Sequence, residues 1–439
     1  MTRATAHSIS RASMVIAGVS TIVEWYDFTL YLYLATVLSR VFFGGAQGSL
    51  AVTLAGFALA YLLRPLGAIV FGQIGDRWGR RCMMLSSMAL VTLAMLASGM
   101  LPTYAAIGPA AGWLLLGLRC VIGFSVGGEY TGVVAYLLEG AAANRRGLIT
   151  SSASAASEVG GLFAVGFSAL TVHFLSATQL ADWGWRIPFL AGAALAGGVW
   201  IARSAMQESP DFERQHATGT TPKEPLRYTL SHHPKGVFRA FAISALGSIT
   251  YYVGITYVPA FLTSAGALSE STSLWLSVLP ALVVILVTLP VGLASDRWGR
   301  KPVLVIHCLL SAALPVTLFS LMASGSRPRA LLGAVILAAV AGGVSAVGAV
   351  ATAEQFPGEG RLSGLALGTT TATAIFGGLT PWLAQILVER SGWPAMPGVM
   401  IAVVGLCVLP VLLAMRETGT PGRQVRPGLH APKRNRRGA

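Results

Sequence analysis

Six ionisable side chains stand inside long apolar stretches of the N-terminal half of this sequence. They are Glu24, Asp27, Arg64, Arg119, Glu129 and Glu158. An ionisable group at the depth of a bilayer centre costs at least about 2.5 kcal/mol on insertion scales, so each one indicates a function or a paired partner. The interiors of the apolar stretches in the C-terminal half, away from their ends, contain no acid, lysine or arginine, only His307. Residues that could do chemistry are therefore concentrated in one half of the chain.

The acids are candidates for carrying a proton. Glu24 and Asp27 are three residues apart and so share one face of a helix. Two acids at one site favour the protonated form of one of them, which suits a proton carrier. We expect proton coupling at Asp27 with Glu24, then at Glu129 and Glu158, with Arg64 close enough to neutralise one acid. The alternative is a static network of buried ion pairs that holds the helices together.

A second group of residues could bind a small solute. Arg119 and Tyr130 are eleven residues apart and nearly share a helical face. The planar guanidinium of Arg119 suits a substrate carboxylate, but Arg119 could instead be the counter-ion of Glu129 or Glu158. Aromatic rings could cage an ammonium group by cation–π attraction. The candidates are Trp25, Tyr26, Tyr130, Tyr251, Tyr252, Tyr257 and Trp382. Together, an arginine and a cage describe a site for a zwitterion, while ordinary packing or an interfacial aromatic belt is the simpler interpretation.

The composition indicates that membrane-spanning helices position these residues. Only 11% of the 439 residues are charged, 54% are hydrophobic, and the mean hydropathy is +0.67, whereas water-soluble domains carry about 25% charged residues. Twelve apolar stretches are long enough to cross a hydrocarbon core about 30 Å thick. We predict spans at 14–42, 49–71, 82–101, 112–138, 148–175, 185–205, 237–263, 271–291, 303–324, 330–353, 363–388 and 395–415. The first is too long and too acidic for a cleaved signal peptide.

The basic residues predict the orientation of the spans. With the N-terminus in the cytoplasm, 24 of the 31 Lys and Arg residues fall on the cytoplasmic side and five on the opposite side. This bias follows the positive-inside rule and predicts that both termini are cytoplasmic. It also explains the net charge of +14 without a nucleic-acid partner.

The polar stretch between the sixth and seventh spans divides the chain into two halves. We expect a cytoplasmic leader at 1–13, an N-terminal six-helix bundle at 14–205 and a central cytoplasmic loop at 206–236. A C-terminal six-helix bundle follows at 237–415, and then a basic cytoplasmic tail at 416–439. The predicted fold class is thus an all-α membrane protein.

A repeated charged motif relates the halves. GQIGDRWGRR at 72–81 returns as GLASDRWGRK at 292–301, and a pair of Glu and Arg seven residues apart returns 215 residues later. Such internal duplication is typical of transporters. We expect these charges to form a cytoplasmic gate between the bundles, with simple topology anchoring as the alternative. The gate candidates are Asp76, Arg77, Arg80, Glu139, Arg146, Asp296, Arg297, Arg300, Glu354 and Arg361.

These motifs resemble a known family. The repeated DRWGR loop resembles the signature of the major facilitator superfamily, and VEWYDF at 23–28, GFSVGGEYTG at 123–132, DWGWRIPF at 182–189 and ESPDF at 208–212 resemble its metabolite:proton symporter family. TYYVGITYVPAFL at 250–262 and GLTPWLAQILVE at 378–389 are most similar to its osmosensory proline/betaine symporters. Those proteins end in a coiled coil, whereas the residues after Thr418 show no heptads.

The resemblance implies a function. We expect a proton-coupled symporter in the cytoplasmic membrane that imports a small zwitterion of the betaine or proline type by alternating access, as a monomer. An organic acid of the 2-oxoglutarate, citrate or shikimate type is the first alternative, and drug–proton antiport is the second. Since no nucleophile elbow, Walker-type loop or metal-ligand spacing occurs in the sequence, we expect no enzymatic activity, cofactor or metal.

Overall fold

The computed structural model describes residues 10–45, 49–208, 212–213, 217–218, 225–356 and 361–419. Within them the chain is helical, with no β-strand. Helices satisfy their backbone hydrogen bonds internally, which is what an apolar chain in lipid requires.

The N-terminal half, residues 10–208, forms six long helical segments within the described residues. Their bounds are α1, Arg11–Tyr33 continued by Ala35–Phe43; α2, Ser49–Leu62 continued by Arg64–Trp78; α3, Arg80–Gly99; α4, Ala110–Ser125 continued by Glu129–Gly140; α5, Arg146–Phe174; and α6, Arg186–Arg203. Short helical turns connect them at Tyr104–Ile107, Ala143–Arg145, Ala177–Gln179 and Leu180–Gly184.

The C-terminal half, residues 225–419, begins with the short helix Pro225–His232 and continues with six further segments in its described part. Their bounds are α7, Pro234–Tyr251 and Val258–Ser264 joined by a π-helical turn, Tyr252–Thr256; α8, Glu270–Trp298; α9, Arg300–Ala313 continued by Pro315–Met322; α10, Arg327–Ala353; α11, from Arg361–Leu365 to Thr380–Ser391 through π-helical turns at Ala366–Thr370 and Ala374–Leu379; and α12, Met396–Ala414.

The number of membrane spans agrees only in part with the predicted twelve. Within the described residues, ten helices are long and apolar enough to cross a membrane, or eleven if the two runs of α9, bent by 47°, count as one span. Segment α1 is not among them, and it contains the acids Glu24 and Asp27. The prediction of twelve spans therefore stays a prediction.

The repeated DRWGR motifs are largely helical, whereas loops were predicted at both positions. Helices α2 and α8 continue to Trp78 and Trp298, so the first three residues of each motif form the last helical turn. Only the glycine leaves the helix, with φ of +100° at Gly79 and +101° at Gly299. Residues with a side chain rarely adopt a positive φ, which explains why glycine is repeated at this position. Both tryptophans are mostly exposed, as expected for membrane-interface anchors.

The two halves pack face to face through a few helices. Helix α5 packs against α1 of its own half and against α8 and α10 of the other half, while α2 packs against α11. A central cavity remains between these contacts.

Candidate functional site

The central cavity has a volume of about 120 Å³ and is lined by both halves. Helices α1, α2 and α4 contribute from one side, and α7, α10 and α11 from the other. At least three of the contributing segments have irregular backbone at the cavity, since α4 is interrupted at 126–128 and both α7 and α11 have π-helical turns there. Such turns are frequent at functional sites.

An ion pair supplies the charge of the cavity. Among the described residues that line it, only Glu24 and Arg64 are charged. Arg64 Nη2 lies 3.0 Å from Glu24 Oε1, and both side chains are at least nine-tenths buried. The guanidinium of Arg64 also lies over the rings of Phe28 and Tyr61, at 3.9 and 4.4 Å from their centroids. The cavity is thus electrically neutral overall but offers one group of each sign.

Several polar atoms of the cavity residues lack a hydrogen-bond partner within the described structure. They are Glu24 Oε2, Trp25 Nε1, Arg64 Nε and Thr369 Oγ1. Buried polar atoms are nearly always hydrogen-bonded, and each exception requires an explanation. A polar ligand in the cavity would satisfy them.

Aromatic rings form the cavity wall beside the ion pair. Trp25 packs edge-to-face against Tyr130 and Tyr251, with centroid distances of 5.9 and 5.0 Å, and lies nearly parallel to Tyr252 at 6.0 Å. All four residues line the cavity. The structure therefore brings together four of the seven aromatic candidates, Trp25, Tyr130, Tyr251 and Tyr252.

The other predicted cage residues lie elsewhere. The hydroxyl of Tyr26 donates a 2.7 Å hydrogen bond to the Pro188 carbonyl inside the N-terminal half. The hydroxyl of Tyr257 donates to Gln385 Oε1 at 2.7 Å, and Trp382 packs against the hydrophobic core. None of the three is among the residues that line the cavity, so their assignment to the cage is corrected.

Arg119 also lies outside the cavity. Its Nη1 and Nη2 donate to the two carboxylate oxygens of Asp27 at 2.9 and 3.0 Å, and both residues are buried. The partner of Arg119 is thus neither a substrate nor Glu129 or Glu158, the alternatives that the sequence left open. Because Val126–Gly128 interrupts α4, the helical projection that put Arg119 and Tyr130 on one face does not hold.

Sequence reasoning missed a third buried arginine. Arg203, at the end of α6, is 1% exposed and forms an ion pair with Glu129. It also donates to the Met84 carbonyl at 2.8 Å and to Ser20 Oγ at 2.6 Å. Its position at a helix end made it look like a loop charge. The available signal was the count of four buried acids against only two arginines.

Glu158 differs from the other three acids. Within the described residues, Glu24, Asp27 and Glu129 each pair with an arginine, whereas no ion pair is formed by Glu158. It is 4% exposed, and the hydroxyl of Tyr251 from the other half lies against α5 one turn away, since a Cβ built at Gly161 would be 3.2 Å from that hydroxyl.

The two halves are joined at the DRWGR end of the molecule. Asp296 accepts hydrogen bonds of 2.9 Å from the backbone N–H groups of Gly147 and Leu148, at the first turn of α5. A helix N-terminus has free N–H groups and favours a negative charge. Arg300 holds Asp296 at 2.8 Å and Glu354 at 3.2 Å within the C-terminal half.

The remaining gate candidates are distributed as follows. Arg361 pairs with Glu139 of the other half at 3.3 Å, Arg146 begins α5 with its Nε buried, and Arg297 is exposed. The side chains of Asp76, Arg77 and Arg80 lie outside the described part of the structure.

The opposite end of the molecule has a contact that the sequence did not reveal. Glu270, at the start of α8, forms an ion pair with Arg40 of α1 at 2.9 Å and accepts a hydrogen bond from Thr36. Nearer the cavity, the hydroxyls of Tyr61 and Tyr252 are 2.5 Å apart. The halves therefore contact each other on both sides of the cavity.

A cavity that contains a buried ion pair and lies between two helical halves with an internal sequence repeat is typical of secondary transporters. Comparison with known families agrees with this class. Residues 13–227 match the model for the sugar (and other) transporter family, and residues 241–437 match the model for the major facilitator superfamily. The chain belongs to the major facilitator superfamily; it is a multi-pass membrane transporter and not an enzyme.

Similar proteins indicate which transporters within the superfamily this chain resembles. The ectoine/proline transporter ProP of Corynebacterium glutamicum is 33% identical over 91% of this chain and 82% of its own length. The glycine betaine/proline/ectoine/pipecolic acid transporter OusA of Dickeya dadantii is 31% identical over 93% of this chain and 83% of its own. Among solved structures, the proton:xylose symporter XylE superposes with a TM-score of 0.76 at 19% identity, covering 93% of this chain and 96% of XylE. The predicted similarity to proline/betaine transporters is confirmed.

Proposed function

We propose that this protein imports a small zwitterion of the proline, betaine or ectoine class together with a proton, by alternating access. The relatives named for such solutes support the substrate class. The observation that carries the proposal is the neutral cavity, in which Glu24 and Arg64 offer opposite charges beside a wall of aromatic rings.

Each part of a zwitterion has a matching group in the cavity. Arg64 would bind the carboxylate, since its Nε is buried without a partner in the described structure. Glu24 and the rings of Trp25, Tyr251 and Tyr252 would stabilise the ammonium, and a quaternary ammonium without N–H groups would depend on the rings. Arg64 thus replaces Arg119 as the proposed carboxylate ligand.

The balance of charge separates this proposal from its alternatives. An organic acid with two or three carboxylates needs an excess of positive charge, and a lipophilic cation needs an excess of negative charge. The described lining of the cavity has neither, because its one acid and its one base cancel. This argues against organic acid symport and against drug–proton antiport.

We further propose the arrangement in the membrane. Twelve spans, with both termini in the cytoplasm and the DRWGR loops on the cytoplasmic side of the inner membrane, follow from the charge bias. Residues 14–205 and 237–415 form the two bundles that rock around the cavity as a monomer. The contacts of Asp296 and of the Glu139–Arg361 pair would close the cytoplasmic side, and those of Glu270 the outer side.

Thermal unfolding of the purified protein with and without candidate solutes tests the substrate class. A ligand that binds only the folded state raises the melting temperature. We expect proline, glycine betaine or ectoine to raise it, and citrate, 2-oxoglutarate and shikimate not to. Stabilisation by the acids alone would refute the zwitterion assignment.

Variants of the ion pair sharpen this test. Losing a hydrogen bond to a charged group removes about 1.5–3 kcal/mol, so Arg64→Gln should weaken binding of the effective solute by roughly 10- to 150-fold. Glu389→Gln is the matched control, since Glu389 is exposed and outside the cavity. Equal affinities for both variants would remove Arg64 from the site.

A further inference from the structure

We infer that Glu158 is the residue that carries the coupled proton and that Tyr251 reports its protonation to the substrate cavity. This inference rests on the proposed function and assigns a role within it. It differs from the expectation based on sequence, which placed Asp27 and Glu24 first.

The first step is the charge balance of the buried acids. Glu24, Asp27 and Glu129 are each neutralised by an arginine that is itself at most 6% exposed. Protonating one of these acids would leave a buried arginine without its counter-ion, which costs about 3–5 kcal/mol. Their charges are therefore held in place, and these acids are poor sites for reversible proton binding.

The opposite holds for Glu158, because it is buried without a basic partner among the described residues. Two tyrosine hydroxyls reach α5 within about one turn of Glu158. Tyr130 on α4 hydrogen-bonds to Ser154 Oγ at 2.9 Å, and the hydroxyl of Tyr251 on α7 lies beside Gly161. A buried carboxylate that has no counter-ion is unfavourable, so the group is neutralised by binding a proton. Closure of the halves around a bound solute, which removes water from Glu158, therefore favours its protonated form.

Charged residues of the other packed helices lie at helix ends, away from Glu158. Glu158 is eleven residues from Gly147, or roughly 16 Å along α5, and Gly147 is where Asp296 contacts that helix. Helices α6, α8 and α10 carry their charged residues close to their ends. These residues are Arg186, Arg203, Glu270, Asp296, Arg297, Arg327 and Arg329.

Tyr251 connects this acid to the cavity. Its hydroxyl lies against α5 of the other half, one turn from Glu158, while its ring packs on Trp25 at 5.0 Å and lines the cavity. The close approach requires Gly161, since a Cβ there would lie 3.2 Å from the Tyr251 hydroxyl. A solute that contacts the ring therefore fixes the position of the hydroxyl, and the protonated carboxyl favours the same closed arrangement.

Separation of the halves at the DRWGR end would break this contact. Water then reaches Glu158, its O–H bond breaks, the carboxylate keeps the electron pair, and the proton passes to water on that side. One proton is released for each solute. The empty transporter returns with Glu158 ionised and hydrated by water in the vacated cavity, and Glu158 is protonated again on the other side before the next solute-loaded closure.

Proteoliposomes with an acidic exterior test this inference. Radiolabelled proline and glycine betaine are the probes, and uptake against a gradient is compared with exchange between labelled and unlabelled solute. The isosteric Glu158→Gln mimics the protonated acid, so we expect exchange to persist while accumulation falls to the equilibrium ratio of about 1. Glu389→Gln is the control and should accumulate solute as the unmodified protein does.

Tyr251→Phe provides a second measurement that keeps the ring. We expect the dependence of solute binding on pH to shift in this variant and to disappear in Glu158→Gln, while Glu158→Asp recovers accumulation in part. Accumulation by Glu158→Gln at the level of the unmodified protein would overturn the inference but leave the proposed function standing. Failure of the unmodified protein to accumulate either probe would overturn both.

Discussion

The Asp27–Arg119 pair should stabilise the fold strongly without contacting the solute. Two short hydrogen bonds, of 2.9 and 3.0 Å, join the two buried side chains. Arg119→Gln leaves the Asp27 carboxylate buried without its counter-ion, so we expect a loss of about 3–5 kcal/mol in the free energy of unfolding. Asp27→Asn alone likewise leaves the Arg119 guanidinium buried without its counter-ion, and it should lower the free energy of unfolding by a similar amount. The double variant restores a neutral pair, and the coupling energy should reach about 2–3 kcal/mol.

A double-mutant cycle measures this coupling energy. The unmodified protein, the two single variants and the double variant are unfolded in detergent, and unfolding is followed by tryptophan fluorescence. Binding of the effective solute to the double variant should stay within about threefold of the unmodified protein, since Arg119 does not line the cavity. Additive losses in the cycle would show that the two side chains are not a pair. A loss of binding beyond about tenfold in the double variant would return Arg119 to the solute site.

Three further predictions concern the ends of the molecule. Asp296→Asn weakens the hydrogen bonds to α5, each worth about 1.5–3 kcal/mol with a charged acceptor, and should increase labelling of a Ser345→Cys cavity probe from the DRWGR side. Glu270→Gln should increase labelling from the opposite side by less than about fivefold, because Arg40 is half exposed and such pairs contribute at most about 1 kcal/mol. Gly299→Ala should lower the melting temperature because of its positive φ, whereas Gly166→Ala, in open space on α5, should not. Unchanged labelling in the first two, or equal melting temperatures in the last pair, would contradict these contacts.

Much of the helical framework was predictable because hydropathy depends on local sequence. The predicted spans at 148–175 and 330–353 correspond to Arg146–Phe174 and Arg327–Ala353. The ends of α2 and α8 were predicted seven residues too early, since charged side chains are tolerated in the last helical turn where it meets the membrane surface. Hydropathy alone cannot place such a boundary.

The site was predicted less completely because side-chain pairing depends on tertiary packing. The buried acids are visible in the sequence as charges in apolar stretches, but nothing local assigns Arg119 to Asp27 or Arg203 to Glu129. The break of α4 before Glu129 also removes the regular helical period on which face arguments depend. Of the aromatic candidates, Trp25, Tyr130, Tyr251 and Tyr252 line the cavity, because their helices meet between the two halves, and this meeting depends on tertiary packing.

The cross-half contacts on the side opposite the DRWGR loops were not predicted at all. Glu270 and Arg40 lie at helix ends 230 residues apart, and the sequence repeat gives no pattern that links them. Their pairing follows from the packing of the halves around the cavity.

Uptake of labelled proline or glycine betaine by proteoliposomes under an inward proton gradient tests the central claim most directly. We predict accumulation above the external concentration, with acidification of the interior in step with uptake and loss of accumulation when a protonophore is added. Uptake that only equilibrates whatever the pH gradient, or export of a cationic dye without uptake of either solute, would contradict proton-coupled zwitterion import.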